Sequence, residues 1–294
     1  MLKPINLKCP AKINLALAVG GPRPGDGYHP ICSWMIQVSL YDDLAIQPLD
    51  QSSNSHYEIG WASDAPQLSP IDWPIEKDLV VKAHRLLEQH VGRLLPLAAT
   101  LIKRIPIGAG MAGGSTDGAS MLQAVNQAFD LKLSDAAFIP LAAKLGSDLP
   151  FFLGHRSAIV SGVGEKLEPA PLKRQLHLTL ITPALHCNTA AVYRTFDTVS
   201  PGAKVDDAGV RLLIDESAPP TERLFNDLAE PAMRVEPRLR ELRARITQGL
   251  RQPVHVTGSG AAMFILAADA DHAADLAGRI RRDYATPALA IHTL

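Results

Sequence analysis

The sequence predicts a two-lobed α+β protein whose second lobe follows a split βαβ plan. At 294 residues the chain is longer than one hydrophobic core usually organises, which favours two lobes. Its first half interleaves apolar stretches of period 2 with stretches of period 3.6. From residue 176 onward the order reads β-α-β-β-α-β, with strands at 176–182, 253–257, 262–267 and 288–293 and helical material at 188–245 and 271–283. That order is the ferredoxin-like plan. The boundary falls near residues 160–165, dividing 1–162 from 163–294.

"LKCPAKINLALA" (7–18) alternates cleanly. Leu7, Cys9, Ala11, Ile13, Leu15 and Leu17 share one face while Lys12 and Asn14 share the other, so it reads as a strand. "GGPRPGDGYHP" (20–30) is a loop by its glycine and proline content. Residues 31–40, 44–48 and 97–105 read as three further strands. "DLVVKAHRLLEQHV" (78–91) has helical spacing at Leu79, Ala83, Leu86, Leu87 and Val91. Beyond a glycine-rich segment, Ala119, Leu122, Val125 and Phe129 mark another helix face. Residues 133–146 form a third helix, with Ser134 as N-cap and Gly146 as its stop. Pro140 should kink that helix or delay its start. Residues 158–167 return as a strand with a Gly-Val-Gly turn, and "PGAKVDDAG" and "ESAPPTE" read as tip loops.

Composition excludes several function classes. Hydrophobic residues make up 47% of the chain, and 29 basic side chains are interspersed with 30 acidic ones for a net charge of −1. Nucleic-acid and membrane-surface binding need a clustered basic face, so neither partner is expected. Three dispersed cysteines without C-x-x-C suggest neither a disulfide framework nor a zinc knuckle. Lys12 and Asn14 interrupt the apolar stretch a signal peptide needs, and no run reaches membrane-spanning length. The expectation is a soluble, cytoplasmic protein, a monomer or weak homodimer acting on a small molecule.

"PIGAGMAGGSTDGAS" (106–120) matches two nucleotide motifs at once. Gly108, Gly110 and Gly113 spell the dinucleotide fingerprint, and Gly108 with Gly113 spells a P-loop whose lysine has become Gly114. The first fits weakly, because Gly113, Gly114 and Gly118 are poor helix material and the loop reads as ending at Ser115–Thr116, whose hydroxyls suit N-caps. The second lacks its lysine. The physics common to both survives: glycines let the backbone approach an anion, and the next helix N-terminus offers N–H groups and its dipole. Asp117 would repel a phosphate there, so it must point away or meet the phosphates through a metal ion.

Two side chains are candidates for the missing chemistry. Lys12 shares a face with Asn14 inside an apolar strand, where a structural residue would sooner be threonine or valine. Asp148, in "LGSDLPFFLG", follows a helix end and is flanked by Leu149, Pro150, Phe151 and Phe152. A partly buried carboxylate needs a cationic partner, and a lysine–aspartate pair suits deprotonation of an alcohol. On their own, "TGSGAA" (257–262) and "GDGYH" (25–29) read as turns.

Taken together, these stretches resemble the GHMP superfamily of small-molecule kinases. "PIGAGMAGGSTDGAS" is similar to its phosphate loop, "TGSGAA" to its C-terminal glycine loop and "CPAKINLAL" to its N-terminal segment. "DGYH", "KLGSDLPFFL", "GVGE" and "FND" resemble the branch acting on a cytidine-diphosphate-linked methylerythritol. The resemblance runs from residue 9 to about 261. It implies an N-terminal lobe like the second domain of ribosomal protein S5 joined to a ferredoxin-like lobe. It also implies transfer of the γ-phosphate of ATP, with Mg²⁺, to the acceptor's 2-hydroxyl, in the non-mevalonate route to isoprenoids.

By the same resemblance, Asp148 stands as catalytic base and Lys12 as its partner, with Asn14 beside them. Pro106, Gly108, Ala109, Gly110, Gly113, Gly114, Ser115 and Thr116 would hold ATP. Tyr28 and Tyr193 would stack on the cytosine and His29 would read its edge, while Gly258, Ser259 and Gly260 would line the substrate phosphates. The ligands of the metal ion are not specified. Asp78, Ser161 and Ala229 depart from the usual pattern, which more often has asparagine, glutamate and an acid there. The alternatives are a GHMP kinase for another alcohol (mevalonate, homoserine or a sugar), an inactive nucleotide-binding relative, and a Rossmann oxidoreductase.

Overall fold

A computed structural model describes residues 3–214 and 219–294. The chain runs through β1 (Ile5–Val19), β2 (Ile31–Pro48), β3 (His56–Trp61), α1 (Leu79–Val91), β4 (Leu97–Lys103) and α2 (Gly113–Ala128). It continues with α3 (Asp135–Leu145), α4 (Leu149–Gly154), β5 (Ser157–Gly162), β6 (Lys166–Pro169), β7 (His177–Ile181), α5 (Thr189–Val199) and α6 (Asp207–Ile214). Last come β8 (Phe225–Asn226), α7 (Ala229–Val235), α8 (Pro237–Leu250), β9 (His255–Val256), β10 (Met263–Ala267), α9 (Ala270–Tyr284) and β11 (Ala288–His292). Part of the "ESAPPTE" loop, residues 216–218, lies outside the described residues.

Contacts group the described chain into two compact units, neither continuous in sequence. The first holds the residues up to Ala11, Leu40–Ile107 and Ala112–His155; the second holds Lys12–Ser39, Gly108–Met111 and the chain from Arg156 onward.

In the first unit, β4 pairs antiparallel with the end of β2 (Asp43↔Ile102) and parallel with β3 (Tyr57↔Ala99). Residues of β4 alternate between buried and half-buried, so Leu97, Ala99, Leu101 and Lys103 share the inner face. Asp78 caps α1 by accepting the Val80 N–H at 2.9 Å, and Gly92 ends the helix in the left-handed conformation. His84, inside α1, is buried yet fully partnered: its Nδ1 lies 2.6 Å from the Tyr57 hydroxyl and its Nε2 2.9 Å from the Leu95 carbonyl. Burial lowers its proton affinity, because a charged imidazole there loses its hydration.

Four local expectations change. Residues 31–48 form one strand rather than two; Asp42 and Asp43 stay in the ladder because Lys103 and Arg104 neutralise them. β3 was not foreseen, its six residues being too short and mixed for a period to show. Helix α2 starts at Gly113, with Ala112 rather than Ser115 or Thr116 at its N-cap. The glycines there serve packing: a Cβ on Gly113 would lie 3.0 Å from Ile105 Cγ2, and one on Gly118 3.1 Å from Leu149 Cδ2. Pro140 sits inside α3 without delaying its start at Asp135.

In the second unit, β2 pairs antiparallel with β5 (Trp34↔Ile159), and β5 with β6. β7, β9, β10 and β11 form a separate antiparallel sheet in the order β11-β7-β10-β9. The expected β-α-β-β-α-β succession is thus present, with one departure inside the stretch read as helical. Phe225 and Asn226 form β8, pairing in parallel with Ala16 and Leu17 of β1. α9 buries Ala273, Leu276, Ala277 and Ile280 at the i, i+3, i+4, i+7 spacing of an amphipathic helix on a sheet. Leu276, Ala277 and Ile280 join Phe196, Leu239, Met263 and Ile265 in one core.

Candidate active site

In the second unit, Lys12 and Asn14 do share a face of β1, and that face is buried. Lys12 is 4% exposed; its ammonium donates to Asn14 Oδ1 at 2.7 Å and to the Gly110 carbonyl at 2.8 Å. Asn14, 2% exposed, donates through Nδ2 to Ser33 Oγ at 2.7 Å, and Ser33 donates onward to the Ala16 carbonyl at 2.8 Å. The Asn14 N–H donates to Thr257 Oγ1 at 2.9 Å. This chain of donors aims the Asn14 carbonyl oxygen at Lys12, and a buried ammonium is tolerable because strong acceptors meet it.

The two glycine segments meet backbone to backbone. The Ala262 N–H donates to the Ala109 carbonyl at 3.2 Å, and the Lys12 N–H to that of Met111 at 3.1 Å. Gly110 has φ +76°, and a Cβ there would lie 2.3 Å from the Thr257 carbonyl oxygen. A Cβ on Gly258 would lie 2.7 Å from the Gly110 carbonyl oxygen. "TGSGAA" is therefore more than a hairpin turn: Gly110 and Gly258 are needed for the close approach. Asn226 holds the turn from its other side, donating to the carbonyls of Val256 and Gly258, each at 2.8 Å. Ser259 Oγ lies 2.9 Å from Thr189 Oγ1.

His29 and Tyr193 come from two segments far apart in sequence and meet in the second unit. His29 packs on Tyr193, ring centroids 4.8 Å apart, and on the edge of Phe196 at 6.0 Å. Its Nε2 lies 2.8 Å from Asp197 Oδ1; a carboxylate only accepts, so Nε2 carries the hydrogen. Tyr28 is 65% exposed, on a turn where its N–H donates to Asp26 at 3.0 Å. Sequence reading missed Asp197 and Thr257. The only available signal was position: Asp197 follows Tyr193 by one helical turn.

In the first unit lie Pro106, Gly113, Gly114, Ser115, Thr116 and Asp148. Ala112 brings no side-chain acceptor to α2, so no N-cap side chain meets the first N–H groups at the positive end of the helix dipole. Asp148 occupies the N-cap position of α4 without capping it; Leu149, Pro150 and Phe151 behind it are buried. α4 packs on α2 through Leu149 and Gly118.

Asp117 points away from the loop. It is 1% exposed, and its Oδ2 accepts from Lys103 Nζ at 2.6 Å. Lys103 also donates to Asp42 Oδ2 at 2.6 Å. Of the two possibilities left by the sequence, inward burial is the one realised. Asp78 spends both carboxylate oxygens, on Val80 N–H and on Trp73 Nε1 at 3.1 Å. Among the described residues, no group of three or more His, Cys, Asp or Glu is placed to hold a metal ion.

Residues 78–155 match the family model of the GHMP kinase N-terminal domain. The chain is 39% identical over 205 residues to a 4-diphosphocytidyl-2-C-methyl-D-erythritol kinase of Symbiobacterium thermophilum, covering 70% of this chain and 69% of the relative. It is 36% identical over 282 residues to that of Caulobacter vibrioides, covering 92% of each. A crystal structure of 4-(cytidine 5'-diphospho)-2C-methyl-D-erythritol kinase superposes with a TM-score of 0.79 at 31% identity, over 98% of this chain and 99% of the other. The mevalonate kinase of Methanococcus jannaschii, at 14% identity and a TM-score of 0.66 over 99% of both chains, shares the fold. With the GHMP kinase fold and identity above 30% along nearly its whole length, the chain belongs to the 4-diphosphocytidyl-2-C-methyl-D-erythritol kinase family.

Proposed function

We propose that the protein is a small-molecule kinase transferring the γ-phosphate of ATP to the 2-hydroxyl of 4-diphosphocytidyl-2-C-methyl-D-erythritol, in the non-mevalonate route to isoprenoid precursors. The observation that carries this reading is the buried Lys12 ammonium, held by Asn14 and Gly110 beside a glycine segment, in a chain of this family. A buried ammonium is costly unless its charge is met, and here a chain of donors fixes the acceptor that meets it.

Phosphoryl transfer asks the protein mainly for positioning and charge stabilisation. Backbone N–H groups within 108–116 hold the β- and γ-phosphates, and Pro106 and Ala109 shape that stretch. When bound, Mg²⁺ would supply charge neutralisation at the nucleotide phosphates; no cluster of described His, Cys, Asp or Glu residues is placed to hold it. The acceptor oxygen attacks the γ-phosphorus, the bond to the β-phosphate oxygen breaks, and ADP leaves. Asp148 accepts the alcohol proton, and Lys12 offsets charge developing at the reacting oxygen. Tyr28 and Tyr193 stack on the cytosine, His29 reads its edge, and Gly258, Ser259 and Gly260 line the acceptor's phosphates. In this reading residues 1–162 carry the ATP and catalytic groups together with Tyr28 and His29, and 163–294 supply Tyr193, Gly258, Ser259 and Gly260 to the acceptor. We place the enzyme in the cytoplasm as a monomer or weak homodimer; no described helix is long and apolar enough to cross a membrane.

The test is ADP release coupled to a reporter, with the cytidylylated polyol, mevalonate, homoserine and a hexose as acceptors. Turnover with the cytidylylated polyol alone is the expected result. Turnover with another alcohol, or with none, overturns the proposal.

A further inference from the structure

Asp117 has no part in the mechanism above, yet it is among the most buried charged residues of the chain. Lys103, the last residue of β4, occupies an inward position in an otherwise apolar register and is 4% exposed. Its ammonium bridges Asp42 on β2 and Asp117 in the opening turns of α2. The second oxygen of Asp42 accepts the backbone N–H groups of Arg104 and Ile105, at 2.5 and 2.7 Å. So one cluster grips the chain as it enters the glycine loop and again as it leaves.

Its charges do not cancel. Two carboxylates share one ammonium, which leaves a net negative charge when both are ionised. Asp42 is fully used, but Asp117 Oδ1 is buried with no hydrogen-bond partner. A bare buried carboxylate oxygen is costly, and it is the atom in the cluster where a proton is least opposed. The groups facing Asp117 from packed elements are Lys103 of β4, Asp42 of β2, Asp78 at the start of α1 and Cys9 of β1. Only Lys103 among them is a cation.

We propose that the Asp42–Lys103–Asp117 cluster is a positioning device for the glycine loop, and that a polyphosphate binding at the α2 N-terminus is accompanied by proton uptake from solvent onto Asp117. This inference rests on the reading of the loop as the phosphate site of ATP. An ionised Asp117 lies beneath the N–H groups that receive the phosphates and repels them; the protonated form does not. By reciprocity, a bound polyanion raises the proton affinity of Asp117. Burial and the neighbouring Asp42 already raise it, to about 8, so the transition falls within the range a soluble enzyme tolerates.

The experiment is calorimetric titration of the whole protein with a non-hydrolysable ATP analogue and Mg²⁺, in buffers of differing ionisation enthalpy, from pH 7 to pH 9. Wild type should take up a fraction of a proton, about half at its maximum near pH 8.5, and bind about fivefold more weakly at pH 9 than at pH 7, for a tenfold rise in Asp117 proton affinity on binding. Asp117→Asn keeps an acceptor for Lys103 and should abolish both the uptake and the pH dependence, with KM for the acceptor alcohol unchanged. Titration of the nucleotide itself is common to both proteins and cancels. Lys103→Met should weaken the analogue at least tenfold at every pH; should it fail to fold, the Asp117→Asn comparison decides alone. Identical pH dependence and proton uptake in wild type and Asp117→Asn overturn the inference. Gly114→Asp separates this from the underlying reading, since Gly114 is exposed and the new carboxylate would oppose the phosphates directly. Loss of analogue binding in Gly114→Asp with an unaltered Asp117→Asn leaves the phosphate reading standing and removes the proton device. Full binding in Gly114→Asp removes both.

Discussion

Replacing Gly110 by alanine is the sharpest test of how the glycine loop is built. The new Cβ would sit 2.3 Å from the Thr257 carbonyl oxygen, on a residue with φ +76°. The left-handed backbone alone costs an alanine about 1 kcal/mol. Relieving the overlap needs a shift of roughly 1 Å between two packed backbones, which costs about 1–3 kcal/mol more. That same carbonyl accepts the Gly260 N–H at 3.0 Å, so the shift also strains the turn it closes. The sum, about 2–4 kcal/mol, corresponds to a fall in Tm of roughly 3–6 °C for a chain of this size. Because the Gly110 carbonyl receives Lys12, kcat should drop at least about tenfold as well. Gly114→Ala is the control: its Cβ would meet Leu79 Cδ1 at 3.4 Å, an ordinary contact. Inside a helix that change should hold or raise stability, by about 0.4–1 kcal/mol. Calorimetric melting of the two variants checks the pair. A Gly110→Ala protein that melts with the wild type refutes the argument that backbone contact with Thr257 requires this glycine.

Asp148→Asn and Lys12→Ala should each lower kcat by roughly 100-fold or more with the fold retained, read by steady-state ADP release and circular dichroism; a nearly fully active Asp148→Asn enzyme removes that residue as the base. Asp197→Ala, which frees the His29 ring, should raise KM for the cytidylylated acceptor roughly tenfold and leave KM for ATP alone; equal changes in both would point to a general loss of structure. Cytidine nucleotides should raise the melting temperature where mevalonate does not. Acid should destabilise the protein. His84 and His255 are kept neutral in the fold, His255 at about 4 because burial and Arg243 oppose its charge. Their folded proton affinities lie below the unfolded value of about 6.5, so stability is full above that pH and is lost as pH falls toward 4. For His255 the loss is about 3 kcal/mol. Urea melts at pH 7.5 and pH 4.5 should show it, with a smaller change in His255→Gln.

The strands and helices with a clear period were legible from the chain alone, among them β1, α1, α2 and the closing β9–β11 set. Lys12, Asp148 and the glycine loop stood out as candidates in the same way, because a lysine in an apolar strand and a dense glycine run break the local pattern. β3 was hidden by its brevity and β8 by the helical surroundings of its two residues, which are strand only because β1 offers a free edge.

The partnerships were the part that sequence alone left open. It did not tell which glycines tolerate a side chain, since Gly110 and Gly114 differ in backbone conformation and in what lies opposite: a carbonyl from about 150 residues downstream or a flexible leucine. It did not place Asp117, whose charge argued against its own position until Lys103 and Asp42 surrounded it. Local propensity and periodicity are properties of neighbouring residues and can be read along the chain. Which buried charge meets which, and which backbones touch, is decided by segments far apart in sequence, and only the tertiary structure brings those together.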